Sequence, residues 1–119
     1  MSNGQESYFV LPYPPSVNQY WRQFNGRTIL SKAGRDYKHL VGLVLVRQAS
    51  GKPLVGRVAV SIVVHPPDRR RRDLDNTLKA VLDSLRGVAY EDDSQIERLL
   101  VERDGIIKNG KVLVKVRGI

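Results

Sequence analysis

The chain has 119 residues, with twenty Lys and Arg against twelve Asp and Glu for a net charge of +8, and it has no cysteine. That length suits one domain with a single core, and the missing thiols exclude disulfides, Cys-built zinc sites and thiol catalysis. Two histidines, His39 and His65, are too few for a His-built metal site, no apolar run approaches the roughly 20 residues of a membrane span, and the positive balance favours a polyanionic partner.

The polar lead of residues 1–6 lacks the basic and apolar regions of a signal peptide, so a flexible start and a cytoplasmic location are expected. Tyr8 to Leu11 is a short apolar run ended by Pro12, Pro14 and Pro15, which predicts a first strand entering a rigid turn. Residues 18–28 gather Tyr20, Trp21, Arg22, Phe24 and Arg27 around Asn25-Gly26, the pattern of a hairpin or an ordered loop, with that pair suited to the tip. Ser31 is the predicted N-cap of a long helix with the stripe Tyr37, Leu40, Val41, Val44, Leu45 and Gln48, stopped by Gly51. Arg35, Lys38 and His39 fall off that stripe, and His39 reads as an ordinary surface histidine.

Val58 to Val64 is β-branched and bounded by Gly56 and Pro66-Pro67, so a buried strand is expected, with His65 in a structural role at its end. Leu74, Leu78, Val81, Leu82 and Leu85 form the stripe of a second helix ending near Gly87. Ile96 to Arg103 and Val112 to Val116 are two further strands, joined through the turn signals Asp104-Gly105 and Asn109-Gly110. The order is β, hairpin, α, β, α, β, β. It predicts a single small α/β (α+β) domain over residues 1–119, one mixed sheet with two helices packed on it.

Charge is spread unevenly along this order. Residues 1–72 carry twelve basic and three acidic side chains, net +9, while residues 73–119 carry eight and nine, net −1. Six of those nine acids are Asp73, Asp75, Asp83, Glu91, Asp92 and Asp93. A chain that only held phosphates would gain nothing from packing acids beside its strongest basic run. Residues 68–79, DRRRRDLDNTLK, lie where a strand gives way to a helix, a place where side chains converge at a sheet end.

If the backbone there is extended, Asp73 and Asp75 share a face and can approach one ion, with Lys79 a helical turn beyond Asp75. Asp92 or Asp93, in a turn before a strand, could add a third carboxylate. Hard divalent cations want such oxygen ligands, and Mg²⁺ takes one or two carboxylates while keeping waters or phosphate oxygens. A metal held this way beside four arginines suits hydrolysis of a phosphodiester. Each element also has a plainer reading. Asp73 or Asp75 could cap the helix, and Asp75 with Lys79 could be an i,i+4 pair worth about 0.2–0.5 kcal/mol. Asp92-Asp93 could be a polar turn, and the arginines a simple basic run.

The stretch PPDRRRRDLDNTLKAVLD, followed by DDSQI and preceded by LPYPPSVNQYW, resembles the RusA family of Holliday junction resolvases nearly end to end. The resemblance implies a homodimeric, Mg²⁺-dependent endonuclease, with Mn²⁺ as a substitute, that cuts four-way DNA junctions by paired nicks in recombination and repair. Carried over by position, the family's essential aspartates fall on Asp73, Asp75 and Asp93, and its catalytic lysine on Lys79. A one-residue shift in the turn would exchange Asp93 for Asp92. Arg72 matches a DNA-contact position; Arg69, Arg70 and Arg71, with Arg35 and Lys38, are the expected holders of the DNA backbone. Tyr20, Trp21 and Phe24 are candidates for stacking on unpaired bases or for packing. The rival readings are a non-enzymatic nucleic-acid-binding protein, indifferent to loss of the aspartates, and a nuclease for other branched DNA.

Overall fold

Side-chain alternation, clearest in the first and last of four strands, gives one sheet a dry face and a wet one. In the computed structural model, which describes residues 5–48 and 51–119, these are β1 (Glu6–Leu11), β4 (Val58–His65), β5 (Ile96–Arg103) and β6 (Lys111–Gly118). Between them come α1 (Val17–Tyr20), the hairpin of β2 (Trp21–Phe24) and β3 (Arg27–Leu30), α2 (Lys32–Gln48) and α3 (Leu78–Leu85). The sheet order is β1-β6-β4-β5, antiparallel except for the parallel pair β4–β5, so the expected mixed sheet with two main helices is present.

Phe9, Leu11, Val58, Val60, Ile62, Val64, Val112, Val114 and Val116 are buried on the dry face against Tyr37, Val41, Leu45, Val81 and Leu85 of the helices. Burial of each large aliphatic chain contributes roughly 1.5–3 kcal/mol. Tyr8 and Val10 of β1, Leu100 of β5 and Leu113 of β6 lie in solvent. The register Ser61↔Leu100, Val63↔Leu113 and Val10↔Leu113 sets them all on the opposite face.

Three details differ from the sequence reading, and a fourth, the pairing of the last two strands, is one that it leaves open. The two C-terminal strands do not form a hairpin: β6 inserts between β1 and β4, because apolar β4 needs a partner on each side. Residues 104–110 form the connection, pinned by Asp104 N–H to Val64 O at 2.9 Å and Ile107 N–H to Pro66 O at 3.1 Å. Leu40 is 47% exposed, because the buried face of α2 is the narrow row Tyr37, Val41, Leu45. The second helix begins as a 3₁₀ turn, Leu74–Thr77, in which Thr77 Oγ1 donates to Leu74 O at 3.1 Å. Glu6 opens β1, and Gln5 O accepts Gly118 N–H at 3.0 Å, so the expected flexible lead does not reach those residues; residues 1–4 lie outside the described ones.

Ser31 is the N-cap of α2 as expected, its Oγ accepting Gly34 N–H at 3.0 Å and donating to Gln19 O. Gly34 is needed there: a Cβ would lie 2.5 Å from Tyr20 O, so α2 can approach α1 only through glycine. The expected stop at Gly51 follows residues 49–50, which lie outside the described ones. No helix among the described residues is long and apolar enough to cross a membrane.

Candidate active site

Pro66 and Pro67 end β4 and start an irregular basic loop. Asp68 organises it: Oδ1 accepts Arg70 N–H at 2.9 Å, and the carboxylate pairs with Arg72 Nη1 at 2.8 Å. That Arg72 hydrogen bond is the largest cause holding the Asp68 carboxyl below its ordinary value. The Arg72 guanidinium also lies 5.7 Å over the Tyr13 ring, and its side chain is only 24% exposed. Arg103 of β5 closes the clamp by donating to Arg72 O at 2.6 Å. Arg72 therefore holds the loop together, while Arg69, Arg70 and Arg71 face solvent. Two clefts of 580 and 610 Å³ flank the loop and share Tyr13, Arg70, Arg71, Arg72, Asp73 and Thr77. Tyr13 and Arg103 carried no sequence signal, since each reaches the loop only through the fold.

Asp73 occupies the N-cap position of the 3₁₀ turn, but its side chain makes no capping bond. Asp75 lies inside that turn rather than in extended backbone, so the alternation expected to align it with Asp73 does not apply. Both are exposed, and among the described residues neither carboxylate has a hydrogen bond or ion pair. Lys79 lies four residues from both Asp75 and Asp83 and is paired with neither; its ammonium sits 5.9 Å from the centroid of the Trp21 ring. The plainer readings, a capping aspartate and an Asp75–Lys79 pair, are thus absent.

Trp21 is held edge-on by Tyr20 at 5.0 Å, and the Tyr20 hydroxyl donates to Asp83 Oδ2 at 2.6 Å. Tyr20 is completely buried, which removes it as a base-stacking candidate. Burial first, then the Asp83 carboxylate, pushes its phenol far above the ordinary value. Lys38 lies 3.4 Å from the same carboxylate, and Arg35 donates to Leu30 O at 2.9 Å. These two expected DNA contacts are engaged within the chain, though partly open to solvent. His39 is exposed, as the reading of a surface histidine expects, and His65 Nδ1 lies 2.7 Å from Gly105 O, consistent with a structural role.

The third acidic position separates into two environments. Asp92 caps the 3₁₀ turn Asp93–Gln95, accepting Ser94 N–H at 3.0 Å while Gln95 Oε1 accepts the Asp92 N–H at 2.8 Å. It also pairs with Arg86 at 3.1 Å, and the Ser94 hydrogen bond is the leading cause of its lowered pKa. Asp93 is its opposite: among the described residues its Oδ1 is buried without a hydrogen-bond partner. Nearby, the Tyr90 hydroxyl donates to Leu82 O at 2.8 Å. Burial first, then the charge of the Asp93 carboxylate and a hydrogen bond to it, pushes that phenol far above its ordinary value.

Asp73, Asp75 and Lys79 thus share one continuous turn-and-helix segment, and Asp93 stands on a separate turn at the head of β5. Among the described residues no three of His, Asp and Glu converge as a metal-binding group, so the expected carboxylates form a spread set rather than a closed cage.

Residues 12–117 match the family Endodeoxyribonuclease RusA. The chain is 37% identical over 112 residues to the crossover junction endodeoxyribonuclease rusA of Enterobacteria phage HK97, covering 93% of each. It is 38% identical over 104 residues to the crossover junction endodeoxyribonuclease RusA of Escherichia coli strain K12, covering 87% of each. It is also 37% identical over 106 residues to the protein of that name from Enterobacteria phage 82, covering 88% of each.

Proposed function

The chain belongs to the RusA family of endodeoxyribonucleases, and from that premise we propose that it is a Mg²⁺-dependent resolvase of four-way DNA junctions. It acts as a homodimer, in the cytoplasm, in recombination and repair. The observation that carries this reading is a group of charges that, among the described residues, have no ion-pair partner: Asp73, Asp75, Lys79, which rests only on the Trp21 ring, and Asp93, whose buried Oδ1 also lacks a hydrogen bond. A buried unpaired polar atom costs about 1–3 kcal/mol, more when charged. Folding alone does not favour such an atom, whereas a cationic ligand would satisfy it.

The donor set is oxygen only, which suits a hard divalent cation. A spread set is compatible with Mg²⁺, which takes one or two carboxylates and completes its shell with water and phosphate oxygens. Asp73, Asp75 and Asp93 would hold it, with Mn²⁺ as a substitute. When bound, such an ion acidifies water and stabilises the departing oxygen of the phosphodiester.

The chain's own side chains supply the rest. Hydrolysis forms a new P–O bond from water and breaks one bridging P–O bond, whose oxygen leaves as a hydroxyl. Extra negative charge develops meanwhile on the non-bridging oxygens. Lys79, uncommitted to any carboxylate and resting on Trp21, is free to neutralise that charge. Arg69, Arg70 and Arg71 would grip flanking phosphates, while Arg72 keeps their loop in shape. Arg35 and Lys38 are the more distant backbone contacts.

Two symmetric cuts call for two sites related by a two-fold axis, which a C₂ dimer supplies. Tyr8, Val10, Leu100 and Leu113, exposed on the wet face of the sheet, offer an apolar surface for a second copy. Leu113→Arg should shift sedimentation from dimer to monomer and convert paired nicks into single ones. An unchanged dimer would remove this face from the interface.

The reading as a whole is tested with an end-labelled four-way junction beside a linear duplex of matching sequence, in Mg²⁺ and in EDTA. Paired symmetric nicks confined to the junction and lost in EDTA are expected. Tight junction binding without cleavage in either Mg²⁺ or Mn²⁺ would overturn the reading in favour of a binding protein.

A further inference from the structure

The β2–β3 hairpin stands apart from the main sheet as a separate two-stranded ribbon. Its tip, Asn25-Gly26, has φ values of +50° and +73°, the left-handed pair that a type I′ turn requires. The register Trp21↔Leu30, Arg22↔Ile29, Gln23↔Thr28 and Phe24↔Arg27 sorts its side chains onto two faces. One face is the root: Trp21 and Leu30 pack on the hydrophobic core, and Gln23 Nε2 donates across to Thr28 Oγ1 at 2.9 Å. The other face carries Arg22, Phe24 and Arg27, all exposed, with the half-buried Ile29 opposite Arg22.

Phe24 is 52% exposed, with the Arg22 guanidinium 5.3 Å from its ring centroid. A single exposed phenylalanine is unremarkable. This one sits on a stiff ribbon between two arginines, with no acid anywhere in residues 21–30. The ribbon begins at Trp21, the residue under the Lys79 ammonium. At about 3.3 Å per strand residue, Phe24 lies roughly 10 Å along from Trp21, close to three base steps of 3.4 Å.

We propose that this ribbon is a base-binding platform: Phe24 stacks on a nucleobase unstacked where strands exchange, and Arg22 and Arg27 hold phosphates of the same strand. The cationic face and the aromatic ring are complementary to the two parts of an exposed nucleotide. A perfectly paired linear duplex offers the phosphates but not the free base face, so the platform would favour branched over linear DNA. The proposal rests on the junction-nuclease reading and adds to it the group that senses the branch.

The experiment uses the full chain, in EDTA for binding and fluorescence and in Mg²⁺ for cleavage, and junctions carrying 2-aminopurine at each nucleotide beside the branch, with a matched linear duplex as reference. Wild-type protein is expected to change the fluorescence at one of these positions. Phe24→Ala should abolish that change and weaken junction binding about tenfold, within the range for loss of one stacked base. Its melting temperature and duplex affinity should stay at wild-type values, and Phe24→Tyr should restore the signal. Phe24→Ala that keeps both the fluorescence change and the junction affinity overturns the platform; if that variant still cuts junctions, the nuclease reading stands. Wild-type protein that neither binds nor cuts the junction overturns both.

Discussion

In the body of the molecule buried hydroxyls find acceptors: Tyr20 donates to Asp83, Tyr37 to Pro12 O and Tyr90 to Leu82 O. At the rim where β4 hands over to α3, Asp73, Asp75 and Lys79 have no comparable partner among the described residues, and on the separate turn before β5 neither has one oxygen of Asp93. Each satisfied hydrogen bond of the first kind stabilises by about 1 kcal/mol net, whereas an orphaned buried oxygen costs about 1–3 kcal/mol. The contrast teaches which charges serve the fold and which remain available to a ligand. Asp83 and Asp92 belong to the first group, although by sequence they sit in the same acidic cluster as the others. Arg72 likewise differs from its three arginine neighbours, being the half-buried one that packs over Tyr13 and pairs closely with Asp68, which Arg70 approaches only to 3.8 Å.

The contrast can be broken first at Asp75. Asp75→Asn should reduce junction cleavage by more than about a hundredfold, since even outer-shell changes at metal sites cost 10–100-fold. Junction affinity should be equal or tighter, because a negative charge near phosphates is gone. Cleavage at the wild-type rate, followed over a single turnover, would return Asp75 to an ordinary surface role.

A smaller effect is expected at Trp21, which holds Lys79 without carrying charge. Trp21→Ala should slow cleavage about tenfold at saturating junction, with dissociation constants little changed and Trp21→Tyr restoring most of the rate. A loss confined to binding would assign the indole to DNA contact instead.

Much of the fold was legible because the alternation of β4 and β6 and the hairpin signal Asn25-Gly26 are local. The strand order was not, because whether β5 and β6 pair with each other or straddle β4 depends on contacts far apart in sequence. The candidate site was legible in residue type and spacing but not in use. Nothing local distinguishes Asp92, caught by Ser94 N–H and Arg86, from Asp93, whose Oδ1 is buried without a hydrogen-bond partner among the described residues. Burial of Tyr20 was hidden for a similar reason, since Asp83, its acceptor, is 63 residues away in the chain.

The most direct measurement is a side-by-side comparison of Asp92→Ala and Asp93→Asn, recording thermal melting and junction cleavage on the same preparations. The account predicts opposite outcomes. Asp92→Ala should lower the melting temperature by several degrees, through loss of its cap, and still cut. Asp93→Asn should melt at or above the wild-type temperature and fail to cut. Asp93→Asn protein that cuts normally but unfolds early, beside Asp92→Ala that is stable and inactive, would contradict the division between structural and chemical charges.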